Sequence, residues 1–206
     1  RQRQMCIRDS LRIFSTVQED GERHTGGVLM KFADNILKGE PDEILIDESP
    51  DKRYMALVVY LTNGAKLLIC VIYLSPNAPM DNRVGMIDAL SNKLVDLKDK
   101  HRPNAVWVTG DLNTSLDNLV KHKRLKTSIK AMMFSLDLQD SFRTIHPCVD
   151  SHSGATFSSR TSIQQCSNSR LDYILVSSHL LEPQNNPKVQ LLTFDQTISD
   201  HMALKL

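Results

Sequence analysis

From residue 26 onward the apolar positions fall into short, regular runs that alternate between strand and helix spacing. Gly26-Gly27-Val-Leu-Met-Lys-Phe32 reads as a strand entered through glycines, and Glu43 to Asp47 as a second. Arg53 to Leu61 and Lys66 to Tyr73 are β-rich runs joined by Thr62-Asn63-Gly64-Ala65. Asn-Gly between two such runs predicts a hairpin, because both residues tolerate a positive φ. The stretch Leu67 to Tyr73 is continuously apolar, as befits a strand buried on both faces. Asp81 to His101 then reads as a helix whose Ile87, Leu90, Leu94 and Leu97 share one face, and Pro103 stops it. Ala105 to Thr109 is the next strand, opening into Gly110-Asp111-Leu112-Asn113. A helix from about Thr127 to Leu136 turns Ile129, Met132, Met133 and Leu136 inward, and strands follow at Leu171–Val176, Val189–Phe194 and Met202–Leu206. Mixed order with hairpins predicts an α/β layered sandwich rather than a purely parallel sheet. No repeat or low-complexity linker divides it, so one domain is expected.

Composition narrows the chemistry without naming it. The 206 residues carry a formal net charge of +1, so any polyanion must be met by a local patch or by metal ions. Four cysteines (Cys6, Cys70, Cys148, Cys166) lie far apart; Cys70, within an apolar run, reads as a buried reduced thiol, which favours an intracellular setting. No apolar run approaches the ~18–20 residues of a membrane span. The opening residues 1–9 lack the apolar stretch of a signal peptide and resemble a translated sequencing linker. They are set aside as non-native, leaving 10–206 as the domain.

Four short constellations carry candidate chemistry. Asp111 and Asn113 follow a buried strand directly, where an oxygen ligand or proton acceptor stands beside an amide; the same pair also suits an Asx turn that ends the strand. Ser199-Asp200-His201 puts a carboxylate next to an imidazole, though such a dipeptide also occurs in ordinary loops. Arg170-Leu171-Asp172-Tyr173 sets Asp172 at the head of an apolar strand, a poor place for it unless it is paired or ligating. Tyr73 ends its strand just before Ser75-Pro76, and a tyrosine there serves a core as readily as a site.

Taken in order, Tyr-x-x-Pro, Gly-Asp-Leu-Asn, Arg-Leu-Asp-Tyr and Ser-Asp-His resemble the motifs of the endonuclease/exonuclease/phosphatase superfamily, from about Gly26 to the C-terminus. That resemblance implies a deoxyribonuclease I-like, four-layer α/β sandwich of two mixed β-sheets flanked by helices. It implies Tyr73 as a phosphate contact, Asp111 and Asn113 as the pair that orients and activates water, and Asp172 as the holder of the imidazole of His201. Asp200 and Asp111 would face a Mg²⁺ ion (or Mn²⁺). His201 and Tyr73 would stabilise charge on the phosphorane-like transition state. The segment Leu138 to Pro147, with Asp-x-x-Arg-x-x-His-Pro, then Ala155-Thr-Phe-Ser158 and Ser169 to Ser177, most resembles endonuclease domains of non-LTR retrotransposons. The implied partners are the DNA backbone and a reverse transcriptase domain in the parent polypeptide, the implied place the nucleus, and no membrane is involved. The basic run Lys121, Lys123, Arg124 and Lys126 is the candidate DNA contact; a solvated loop and helix start is the plain alternative. A phosphatase or lipid phosphodiesterase of the same superfamily, or a degenerate remnant, are the rival functions. The family's metal-binding glutamate lies on an early strand. Here Gln18-Glu19 mimics its motif but stands close to Gly26, so the expectation is a fragment that lacks the N-terminal strands and has no or very weak activity of its own; Glu19 as the metal ligand is the alternative.

Overall fold

A computed structural model describes residues 11–15, 27–33, 35–48, 52–117, 121–149, 154–160, 166–188, 190–192 and 203–205. The opening nine residues lie outside them. In chain order the elements are β1 (Leu11–Ser15), β2 (Leu29–Ala33), β3 (Glu43–Ile46), β4 (Tyr54–Tyr60), β5 (Lys66–Tyr73), α1 (Met80–His101), β6 (Ala105–Asp111), α2 (Lys123–Leu136), β7 (Leu138–Asp140), α3 (Ser141–Ile145), β8 (Phe157–Arg160), β9 (Cys166–Ser169), β10 (Asp172–Ser177), two 3-10 turns (Ser178–Leu181 and Pro183–Asn185), β11 (Gln190–Leu192) and β12 (Ala203–Lys205).

Six strands form one mixed sheet in the order β3-β4-β5-β6-β10-β7, in which β5–β6 is the parallel pair. Parallel neighbours cannot be joined by a tight turn, and α1 supplies the crossover. Period-two alternation then sorts the central strands onto two faces. Leu68, Cys70 and Ile72 of β5, with Val106 and Val108 of β6, meet Ile87, Leu90 and Leu94 of α1 and Leu125, Ile129 and Met132 of α2. On the other face Met55, Leu57, Val59 and Ile69 pack with Val28 and Met30 around β2, and Val71, Tyr73 and Trp107 border that cluster. The α/β layering expected from the sequence, a mixed sheet flanked by helices, is the architecture observed. Outside this sheet the described strands pair two by two, as β1–β2, β8–β9 and β11–β12.

The hairpin between β4 and β5 lies where Asn-Gly marks it, but its turn differs from the expectation. Gly64 alone is left-handed (φ 86°); Asn63 keeps a negative φ. The Gly64 amide donates to the Leu61 carbonyl at 2.9 Å, the Leu61 amide donates to the Ala65 carbonyl at 2.8 Å, and Asn63 Oδ1 accepts from the Ala65 amide. This is a type I turn followed by one left-handed residue, the form that three-residue hairpin loops favour. Both helices start earlier than predicted, α2 by four residues, which brings Lys123 to Lys126 into its first turn. The C-terminal end of α1 is tied to β3, where Glu43 accepts from Lys100 Nζ at 2.7 Å and meets His101 Nε2 at 2.5 Å.

Candidate active site

Registers across three central strands bring three predicted residues into one line. Tyr73 of β5 pairs with Asp111 of β6, and Asp111 pairs with Asp172 of β10. Directly paired residues point to the same side of a sheet. That side is the one away from the helices, since the neighbours Ile72 and Tyr173 are buried in the helix-side core. The two aspartates therefore stand about 4.5–5.5 Å apart at Cα, the spacing of a directly opposed antiparallel pair.

Gly110 explains why β6 can carry Asp111 at its tip. Its φ is 137°, and a Cβ built there would lie 1.9 Å from the Ile72 carbonyl oxygen of β5. Only a residue without a side chain lets the two backbones approach this closely. Beyond it the chain turns sharply: the Asn113 amide donates to Asp111 Oδ1 at 2.7 Å, and Asn113 itself is left-handed (φ 44°). The Asx turn is thus present, and it serves the site. Asn113 Nδ2 donates to Asp111 Oδ2 at 2.8 Å and to the Leu74 carbonyl at 2.8 Å. Two acceptors fix the orientation of the amide group, which leaves Oδ1 as its acceptor atom. The Asn113 amide nitrogen is thus spent on holding Asp111 and the Leu74 carbonyl. Arg83, buried in the first turn of α1, clamps the same loop by donating from Nη2 to the Leu112 carbonyl at 3.1 Å and the Asn113 carbonyl at 2.8 Å. Burial lowers its pKa, and the Asp111 charge works the other way.

The start of β10 is held as firmly. Thr156 Oγ1 accepts from the amides of both Leu171 (2.9 Å) and Asp172 (3.0 Å). Next to it Asp117 accepts two bidentate forks: Arg143 at 2.9 and 3.0 Å, and Arg170 at 3.0 and 3.2 Å. Arg170 also pairs with Asp140 at 2.7 Å and lies 4.5 Å from the ring centroid of Tyr173, while Arg143 donates to the Val149 carbonyl. The four charges cancel. Burial raises the Asp117 carboxyl pKa, but the bonds from Arg143 and Arg170 outweigh it and hold the group down to about 2. The Tyr173 hydroxyl donates to the Arg170 carbonyl at 2.9 Å and accepts from the Leu116 amide at 2.7 Å, which ties the loop after Asp111 to β10.

The structure therefore brings together Tyr73, Asp111, Asn113 and Asp172. Glu19, Asp200 and His201 lie outside the described residues. The basic run divides. Lys121, Lys123 and Arg124 are exposed, with Arg124 paired to Asp81 at 2.7 Å, whereas Lys126 is buried and its Nζ has no hydrogen-bond partner among the described residues. Burial, then the nearby Lys130, lowers the pKa of Lys126. Once the helix starts at Lys123, Lys126 stands three residues before Ile129 on the inward stripe.

Sequence reading missed Arg83, Thr156 and Asp117 as supports of the site. Arg83 had a signal, since it stands four residues before Ile87 on the buried face of α1. Among the described residues no group of three or more His, Cys, Asp and Glu could hold a metal. Asp111 offers hard oxygens, and a Mg²⁺ ion held by one or two carboxylates with waters and substrate phosphate fits such a donor. No helix among the described residues is long and apolar enough to cross a membrane.

Comparison with known proteins follows the same lines. A family model described as "Endonuclease/Exonuclease/phosphatase family" matches residues 21–201. An AP endonuclease from Archaeoglobus fulgidus superposes with a TM-score of 0.61 at 18% identity, covering 86% of this chain and 73% of the other. Truncated TDP2 of Caenorhabditis elegans gives a TM-score of 0.61 at 13% identity, over 95% and 73%. At these identities the likeness is one of fold. No curated protein matches the sequence.

Proposed function

We propose that this chain, since it belongs to the endonuclease/exonuclease/phosphatase family, hydrolyses phosphodiester bonds, and that it nicks DNA in the manner of a non-LTR retrotransposon endonuclease. The observation that carries this reading is the row Tyr73–Asp111–Asp172 with Asn113 locked onto Asp111. Asp111 is held by its two bonds from Asn113 in the orientation in which it takes a proton from water attacking the phosphorus. Asn113 Oδ1 accepts the second hydrogen of that water. The Tyr73 hydroxyl donates to a non-bridging phosphate oxygen, where charge builds up as the water oxygen adds to the phosphorus and before the bond to the 3′-oxygen breaks with its electron pair going to that oxygen. Asp172 orients the imidazole of His201, which donates to the same phosphate. Mg²⁺, with Mn²⁺ as substitute, would be held by Asp111 together with Asp200 and Glu19, and supplies charge neutralisation and polarisation of the phosphate when bound. Lys121, Lys123 and Arg124 face solvent, where they can follow the DNA backbone.

The retrotransposon assignment draws support from the motif residues Asp140, Arg143 and Arg170. All three meet in the network beside Asp172. The reading implies a reverse transcriptase domain in the parent polypeptide and a nuclear place of action. Its test is nicking of supercoiled plasmid in Mg²⁺ by this chain and by that parent polypeptide, beside hydrolysis of inositol phosphates and sphingomyelin. Asp111→Asn should lower turnover by at least ~10²-fold with little change in KM. Loss of nicking in Glu19→Gln would assign Glu19 to the metal. Plasmid left intact while an inositol phosphate or a lipid is hydrolysed would overturn the DNA reading in favour of the phosphatase one.

A further inference from the structure

The row does not end at Tyr73. β4 and β5 pair Tyr54 with Ile72, and the ladder continues one step further, where the Tyr73 amide donates to the Arg53 carbonyl at 2.8 Å. Arg53 is thus the fourth member of the line, after Asp172, Asp111 and Tyr73. Its guanidinium carbon lies 5.1 Å from the centroid of the Tyr73 ring, and the residue is 8% exposed. Its backbone is fixed from the other side, where the Arg53 amide donates to Asp47 Oδ2 at 2.8 Å. The guanidinium faces the π-electrons of half-buried Tyr73, at the end of a row whose other end carries two carboxylates.

We propose that Arg53 is a positioning residue for Tyr73, an inference that rests on the phosphodiesterase reading above. A tyrosine at a strand tip can swing its ring about χ1. A planar cation stacked over one face holds the ring in a single plane, with the hydroxyl directed along the row toward the phosphate that Asp111 serves. Small displacements of a reacting group are expensive, a 1 Å error costing on the order of 10²-fold. Affinity, which comes from many phosphate contacts, should depend on this ring far less.

Three variants test the idea. Arg53→Met keeps an apolar stem and should lower turnover by at least ~10-fold with KM within ~3-fold. Arg53→Lys keeps the charge but not the planar stack, and should recover part of that loss. In a Tyr73→Leu background, Arg53→Met should cost nothing further, since the ring it positions is gone. A second readout needs no activity. The chain has four tyrosines, so ring signals from ¹³C-labelled tyrosine can be assigned with Tyr73→Phe. Arg53→Met should move the Tyr73 signals and leave those of Tyr60, which has its own cation in Lys66 at 4.7 Å. Should Arg53→Met fail to fold, Arg53→Lys carries both measurements. Unmoved Tyr73 signals, additive losses in the double variant, or an effect confined to KM would each overturn the proposal. Wild-type protein that hydrolyses no phosphodiester would strike the functional reading instead, and the ring signals would then decide the contact by themselves.

Discussion

Replacing Asp117 with asparagine removes the one carboxylate that two arginines share. In the native protein Asp117 is one-fifth exposed, Arg143 somewhat more, and Arg170 almost wholly buried. Asparagine has a similar shape, but its single acceptor cannot answer two guanidinium forks, and the cluster of Asp117, Asp140, Arg143 and Arg170 changes from neutral to +1. A carboxyl that titrates at about 2 rather than 3.8 contributes roughly 2.4 kcal/mol of stability near neutral pH, at ~1.4 kcal/mol per tenfold change in proton affinity. Opening a buried ion pair typically costs ~3–5 kcal/mol. Partial exposure argues for the lower part of that range, so Asp117→Asn should destabilise by ~3 kcal/mol. For a domain of this size the melting temperature should fall by ~6–12 °C. The sign of the pH dependence follows from the direction of the shift. A carboxyl whose folded pKa is depressed stabilises above its unfolded value and loses that contribution as pH falls through the folded one. Urea unfolding followed by circular dichroism should therefore show a gap between wild type and variant that is full at pH 7 and narrows between about pH 4 and about pH 2. A difference below ~0.5 kcal/mol at pH 7, or one that does not change over that acid range, would refute the reasoning.

Gly110→Ala should be among the most damaging small substitutions in the chain, by ~3 kcal/mol or more, because its methyl would overlap the Ile72 carbonyl and no flexible group can yield. Gly64→Ala is the control: it meets open space and carries only the strain of its left-handed backbone, ~1 kcal/mol in a urea titration. Burial pushes the Cys70 thiol up to about 12, so native protein treated with a thiol reagent should be modified at exposed Cys148 and not at Cys70 until denaturant is added. Peptide mapping that found Cys70 labelled first would contradict the buried helix-side core.

The elements most legible in the sequence were those whose period is strongest. β5 spans the predicted residues and α1 differs by one, because a continuous apolar run and a 3-4-3 stripe each allow only one arrangement. The end of β6 was hidden by Gly110, which reads as a breaker until the approach of Ile72 shows why glycine continues the strand. α3, β7, β8 and β9 are too short to set up a period. At the site, Tyr73, Asp111, Asn113 and Asp172 were legible as types, but the Asx turn and the site pair looked like alternatives when they are one object. What no pattern could show was Asp117, since its partners at 143 and 170 are distant in the chain. Arg53 and Arg83 gave only the weak signal of a cation standing where an apolar stripe or strand begins.

The position of β10 has a consequence for how the protein is made. It enters the sheet between β6 and β7, and the row is complete only when Asp172 reaches Asp111. About 60 residues separate the two in the chain. At roughly 5–20 residues per second, a ribosome needs ~3–12 seconds to deliver the second aspartate after the first. Throughout that interval β6 has β5 on one side and an open edge on the other. A chain interrupted before residue 172 keeps the half of the row that carries Tyr73 and Asp111, with Asn113 beside it, and lacks the strand that completes it.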